Sequence, residues 1–91
     1  MERAVLMKIK FEAHAENQIK ERLLDKKQIE ETLLNPGLIV DSKKNRKIAQ
    51  KVFQAKGFKF LLRVIYVIEN SDFVVISAYR TTRIEKYWVK E

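Results

Sequence analysis

Between Phe73 and Trp88 the sequence FVVISAYRTTRIEKYW changes from an apolar run into a dense set of hydroxyls, cations and aromatic rings. Phe73, Val74, Val75 and Ile76 favour a pleated, half-buried backbone. Ser77, Tyr79, Arg80, Thr81, Thr82, Arg83, Lys86, Tyr87 and Trp88 follow directly. A buried strand that opens into such side chains suits a phosphate-bearing ligand. Together with His14, the only histidine, these groups suffice for metal-free cleavage of RNA. A base takes the proton of the ribose 2′-hydroxyl, and the oxygen attacks the adjacent phosphorus. Cations hold the charge that builds on the phosphorane oxygens, and an acid protonates the leaving 5′-oxygen. The product is a 2′,3′-cyclic phosphate, and DNA is spared because it lacks the attacking hydroxyl.

His14 is the side chain that titrates near neutral pH; it is either the general acid/base or a helix-edge histidine with one hydrogen bond. Arg63 interrupts the apolar run FLLRVIYVI, where a cation needs a partner: Asp41, Glu69 or a phosphate. Arg80 stands where the late strand opens out. Strand alternation puts Ser77, Tyr79 and Thr81 on one face and Ala78, Arg80 and Thr82 on the other. Tyr79 and Arg80 therefore enter one site only if a bulge intervenes. Tyr87 and Trp88 can stack on bases or clasp the core.

The elements that must position these residues follow from periodicity. Val5 to Phe11 alternates as a first strand. Glu12 to Leu24 reads as a helix with Phe11, Ala15, Ile19 and Leu23 as its apolar stripe and His14, Gln18 and Arg22 as a polar row beside it. Asp25 starts a second helix, with Gln28 completing a capping box and Ile29, Leu33 and Leu34 buried; Asn35-Pro36-Gly37 ends it. The period then changes to two. Leu38 to Asp41, Lys47 to Gln54, Lys59 to Ile68 and Phe73 to Thr81 are strands, separated by a basic turn at Ser42 to Arg46, a Lys56-Gly57 turn and a polar hairpin turn at Glu69 to Asp72. Ile84 to Val89 is a last short strand or an ordered tail. The expected architecture is α+β: two N-terminal helices packed on one face of a curved antiparallel sheet of four to five strands, the other face open and basic.

The 91 residues allow one domain, 1–91, with a modest core built from 46% hydrophobic residues. There is no cysteine, hence no disulfide framework or thiolate metal site, and one histidine cannot build a histidine-rich zinc site. No cofactor and no metal are expected. No run reaches the length of a membrane helix and the N-terminus lacks a signal-peptide pattern, so the expected compartment is the cytoplasm, with no membrane partner. Two glycines exclude a glycine-rich phosphate loop, and neither paired carboxylates in a cleft nor a serine-based triad is readable. The net charge is +7. Ser42 to Ile68 has no acidic residue and eight cations, Lys43, Lys44, Arg46, Lys47, Lys51, Lys56, Lys59 and Arg63, which leaves the rest of the chain at −1. A segment of this kind attracts polyanions. Lys43, Lys44, Arg46, Lys47, Lys51, Arg63 and Arg83 are the candidate RNA contacts.

His14-Ala15 opening a helix, Ile19, the second-helix start Asp25-Lys26-Lys27-Gln28-Ile29, Leu34-Asn35-Pro36, and the late Ala78-Tyr79-Arg80-Thr81 with Lys86-Tyr87-Trp88 resemble a small prokaryotic family of uncharacterised domains. These are similar to the RelE/ParE toxin superfamily and the wider barnase–EndoU–colicin–RelE nuclease group. The resemblance runs from Lys8 to Trp88. It implies two helices on a curved sheet and a metal-independent ribonuclease, often the toxin of a toxin–antitoxin pair or a phage-associated effector. It further implies His14 as acid or base, with Arg80, Thr81, Lys86 and Tyr87 holding the phosphate. The chain departs from RelE-type toxins in leaning on an N-terminal histidine, and ParE-type relatives act on gyrase rather than RNA. The expected substrate is RNA, including ribosome-bound mRNA, and the expected partner an acidic antitoxin. The alternatives are a non-catalytic toxin or inhibitor binding a protein target, and a nucleic-acid-binding module without catalysis.

Overall fold

The computed structural model describes residues 8–88. The elements are β1 (Ile9–Phe11), α1 (Ala13–Arg22), α2 (Lys26–Leu34), β2 (Leu38–Asp41), β3 (Lys47–Ala55), β4 (Phe58–Glu69), β5 (Asp72–Thr81) and α3 (Ile84–Tyr87). The class is α+β, with three helices and one five-stranded sheet of order β1-β5-β4-β3-β2. β2 to β5 form an antiparallel meander. β1 lies parallel to β5, Ile9 opposite Phe73 and Phe11 opposite Val75, so the sheet is mixed and the expectation of an antiparallel sheet is corrected. The long excursion through α1, α2 and the meander lets the chain return in the same direction, which a tight hairpin cannot do. Asp72 fastens this pairing: the backbone N–H of Lys8 donates to its carboxylate at 3.2 Å and Lys10 lies 3.4 Å away. These contacts, the Lys8 bond foremost, hold the Asp72 carboxyl below its ordinary range. The predicted strand start at Val5 and strand end at Val89 lie outside the described residues.

All three turns of the meander use the left-handed backbone region, with Gly57 at φ 82° in the turn between β3 and β4. Lys44 and Asn45 have φ 59° and 62°, and Asn70 and Ser71 have 52° and 68°. Two successive residues of this kind between Glu69 and Asp72 give the turn whose twist matches that of the flanking strands.

β4 shows why one face is core and the other is not. Phe60, Leu62, Val64 and Tyr66 join Ala15 and Ile19 of α1 and Ile29 and Leu33 of α2 in one buried cluster, with Ala49, Phe73, Val75 and Ala78. Leu61, Arg63 and Ile65 alternate with them onto the opposite face. In β5 the register moves from Ser77 opposite Ile65 to Val75 opposite Tyr66, which leaves Ile76 as the extra residue of a bulge. The bulge changes parity, so Val75 and Ala78 both serve the core while Tyr79 is delivered to the other face.

Several expectations about particular residues and elements are corrected. Leu23 does not extend the α1 stripe; it takes φ 55° as the helix C-cap and is 80% exposed. Leu34, at the last turn of α2, is 64% exposed. Asp25 caps α2 through Lys27 N–H at 2.8 Å, a bond to the second helical residue rather than the reciprocal box with Gln28. The face opposite the main cluster is also not open at its centre. Gln50 and Leu61 are fully buried there, and the segment expected as a strand or tail is the one-turn helix α3. The indole of Trp88 closes on Gly37, where a Cβ would stand 2.8 Å from Cη2. A glycine is required at this position by the close approach.

Candidate functional site

Arg63 is the centre of the second face. It is opposite Gln50 in β3 and Tyr79 in β5, and such paired residues share a face and meet. Its Nε donates to Gln50 Oε1 at 2.6 Å, and its Nη1 donates to the Tyr79 hydroxyl oxygen. The Gln50 Nε2 donates in turn to the backbone carbonyl of Tyr87 at 3.2 Å, which seats α3 over the sheet. The Tyr87 ring then covers the guanidinium at 4.1 Å from its centroid and meets Tyr79 edge-on at 6.3 Å. Among the described residues Arg63 makes no ion pair: Asp41 pairs with Lys47, and Glu69 lies exposed at the far end of β4. Among the described residues this half-buried cation is held by a neutral amide, a phenol and a ring face, none of which offsets its charge. A guanidinium has further N–H donors beyond the two in use, in a planar fork that matches phosphate.

A second polar chain lies at the edge of β5, beyond the end of β1. Ala78 N–H donates to Gln18 Oε1 at 3.0 Å, Ser77 Oγ donates to the same oxygen at 2.8 Å, and Arg22 Nη1 donates to the Ala78 carbonyl at 2.8 Å. α1 thus replaces a neighbouring strand with side chains. Because a backbone N–H can only donate, the Gln18 amide is fixed with Nε2 outward. It donates to His14 Nε2 at 3.0 Å, so that ring nitrogen is the acceptor. His14 is exposed at the first turn of α1, and Ser77 stands two residues from Tyr79 on the same strand. The polar row of the sequence therefore runs from His14 through Gln18 to the strand that carries Tyr79.

The other candidate residues separate into groups. Lys86 approaches the Tyr87 ring, its Nζ 5.4 Å from the centroid. Arg83 and Lys86 line a shallow cavity of about 410 Å³ beside α3. Thr81 Oγ1 accepts from Arg83 N–H at 3.0 Å and so shapes the entry to α3. Arg80 is opposite Leu62 on the face of the main cluster, with its guanidinium 5.5 Å from the Phe60 centroid. It does not join Arg63, since the bulge at Ile76 lies before both Tyr79 and Arg80 and leaves them on opposite faces. Lys43, Lys44 and Arg46 are at the β2–β3 turn. Lys47 donates to Asp41 at 2.7 Å, a bond that lowers the Asp41 carboxyl and raises the Lys47 ammonium from their ordinary values. Lys51 donates to the Asn35 carbonyl at 2.8 Å and lies 3.4 Å from Glu31, which ties β3 to the end of α2. Gln50 escaped the sequence reading. Its signal is a lone amide between Ile48 and Val52 on one strand face, in register with the arginine of the next strand. Among the described residues no three His, Asp or Glu side chains converge as a metal site requires, and no helix is long and apolar enough to cross a membrane.

Fold and site together define a small α+β protein with a guanidinium-centred cluster on its sheet. Residues 11–80 match the family model described as a domain of unknown function, DUF4258; the chain belongs to that family. The matched stretch holds His14, Gln18, Gln50, Arg63 and Tyr79 and stops before α3. No curated protein and no solved structure matches the chain.

Proposed function

We propose that this protein is a metal-independent ribonuclease with a RelE-like arrangement of two helices on one face of its sheet, acting as the toxin of a toxin–antitoxin pair. The observation that carries this reading is the surroundings of Arg63: a half-buried guanidinium with neutral partners and donors to spare. A scissile phosphate supplies the missing anion. Arg63 then takes the charge that grows on the phosphorane oxygens, with Lys86 adding a second positive group from α3. Tyr79 accepts from Arg63 and keeps its own proton to donate to the phosphate, while the Tyr87 ring fixes the plane of the guanidinium. His14 is the proton-transfer group, and Gln18, tied to Ser77 and Ala78 of β5, positions its ring at the strand edge. The proton of the 2′-hydroxyl leaves to the base, the 2′-oxygen bonds to phosphorus, and the 5′-oxygen departs with a proton from the acid. RNA, free or held on a ribosome, is the substrate, and an acidic antitoxin segment covers the cations when the protein is silent.

The test is RNA cleavage in EDTA, offered as free RNA and as translating ribosomes, with analysis of the product ends. Wild type is expected to leave cyclic phosphates. Arg63→Ala is expected to lose roughly 10²- to 10³-fold, the size of a removed charge-stabilising donor, and His14→Ala roughly 10²- to 10⁴-fold. A second reading, a nucleic-acid-binding module without catalysis, is favoured by one observation: His14 bonds Gln18 and has no bond to the Arg63 cluster. Salt-sensitive binding with no cleavage on either substrate would establish that second reading.

A further inference from the structure

The face that carries the main cluster ends in an aromatic hairpin that the Arg63 site does not use. Phe53 and Phe60 stack at 5.8 Å across β3 and β4, and Phe58 leans on Phe60 at 6.2 Å. Phe60 is 5% exposed and locked in the core, whereas Phe58 is 50% exposed. The cross-strand partner of Phe58 is Ala55, which is too small to cover the ring. Above the pair stands Arg80, over the Phe60 ring, and Phe58, Phe60, Arg80, Thr81 and Thr82 line a shallow cavity of about 360 Å³.

This combination has a specific use. A half-exposed ring backed by a buried aromatic pair accepts a flat aromatic ligand by stacking. A guanidinium at its rim accepts a phosphate or stacks as well. Thr82, two residues on from Arg80, lines the wall as well. Lys56 and Lys59 flank the hairpin, and both are exposed. The ligand chemistry that joins a flat ring to a negative backbone is a nucleotide.

We infer that Phe58, backed by the buried Phe60 and with Arg80 at the rim, forms a base-stacking subsite for one unpaired nucleotide of a single strand. The subsite and Arg63 lie on opposite faces near the same end of the β4–β5 pair. A strand bound at both passes around the end of the sheet at Thr81 and Thr82. Stacking on a ring tolerates every base, so the subsite fixes register rather than sequence. This inference rests on the reading of the protein as an RNA binder and adds a contact that is independent of cleavage.

The experiment measures binding of a 2′-O-methyl RNA of roughly twelve nucleotides, within the span one small module covers, beside the same strand with abasic positions. Because neither probe has an attacking hydroxyl, the result does not depend on whether the protein cuts RNA. Phe58→Ala is expected to weaken the base-bearing strand by roughly 5- to 150-fold and to leave the abasic strand unchanged. Phe58→Trp is expected to bind as wild type, which guards against a merely misfolded hairpin. Arg80→Ala is expected to weaken both strands and to lower the salt dependence by about one phosphate contact. Equal loss on base-bearing and abasic strands, or no loss in Phe58→Ala, would overturn the subsite, as would absence of binding by wild type. Failure of the ribonuclease reading alone would appear instead as intact stacking with no cleavage of ordinary RNA.

Discussion

At the scale of single residues, Gln18 and Gln50 do parallel jobs. Each is a buried amide that settles the geometry of a charged or titratable neighbour: Gln18 presents its N–H to His14, and Gln50 presents its carbonyl oxygen to Arg63. A buried donor stripped of its acceptor costs about 1–3 kcal/mol. Gln18→Leu leaves Ala78 N–H and Ser77 Oγ without their acceptor, so it is expected to lower unfolding free energy by about that amount in urea titration. Gln18→Glu keeps an oxygen for both and is expected to retain most of the stability; equal loss in both variants would mean that packing, not the acceptor, matters. How much of this was legible differs between the two. The four-residue spacing of His14, Gln18 and Arg22 shows the polar row in the sequence. Gln50 was hidden because its meaning comes from register with Arg63, and register is settled by the turn between β3 and β4.

At the scale of elements, the meander was readable because period two and turn residues agree along it, and β2 is found where the sequence places it. The direction of β1 was not readable. Nothing in Ile9 to Phe11 encodes which neighbour it takes; the vacant edge of β5 does. The bulge at Ile76 was equally invisible, since its sequence is continuous with the strand on both sides. α3 was misread because Ile84 to Tyr87 has no helical length of its own and is held by the sheet beneath it. The β4–β5 turn gives a prediction at this level. Ser71 has φ 68°, a region that costs a non-glycine residue about 1–2 kcal/mol. Ser71→Gly is expected to stabilise the protein by about 0.5–1 kcal/mol, the entropy of a freer unfolded chain offsetting part of the relief. A rise in thermal midpoint checks it; a fall would show that the Ser71 side chain contributes more than its backbone costs.

At the scale of the whole molecule, the charge of +7 is not uniformly available. Lys47 is engaged by Asp41 and Lys51 by Glu31 and the Asn35 carbonyl. Sequence counting treats Lys47 and Lys51 as equal to Lys43 and Lys44, because Asp41 and Glu31 lie outside the acid-free stretch. The structure divides them. On the proposed reading, Lys43→Ala and Lys44→Ala are each expected to lower the salt dependence of nucleic-acid binding by about one phosphate contact while leaving stability within about 0.5 kcal/mol. Lys51→Ala is expected to change stability more than the salt slope. Binding across a salt series beside urea titration separates the two classes, and an unchanged slope in Lys43→Ala and Lys44→Ala would remove that turn from the interface. The covering of Arg63 by Tyr87 has a consequence in time. The ribosome makes Gln50, Arg63 and Tyr79 before it makes the residues that roof them. On the proposed reading, a nascent chain emerges with its cations in place and its phosphate site unroofed. On that reading competence waits until Tyr87 and Trp88 have left the exit tunnel and Trp88 has closed on Gly37. On the proposed reading, the protein is harmless to the message that encodes it for as long as that message is still being read through this segment.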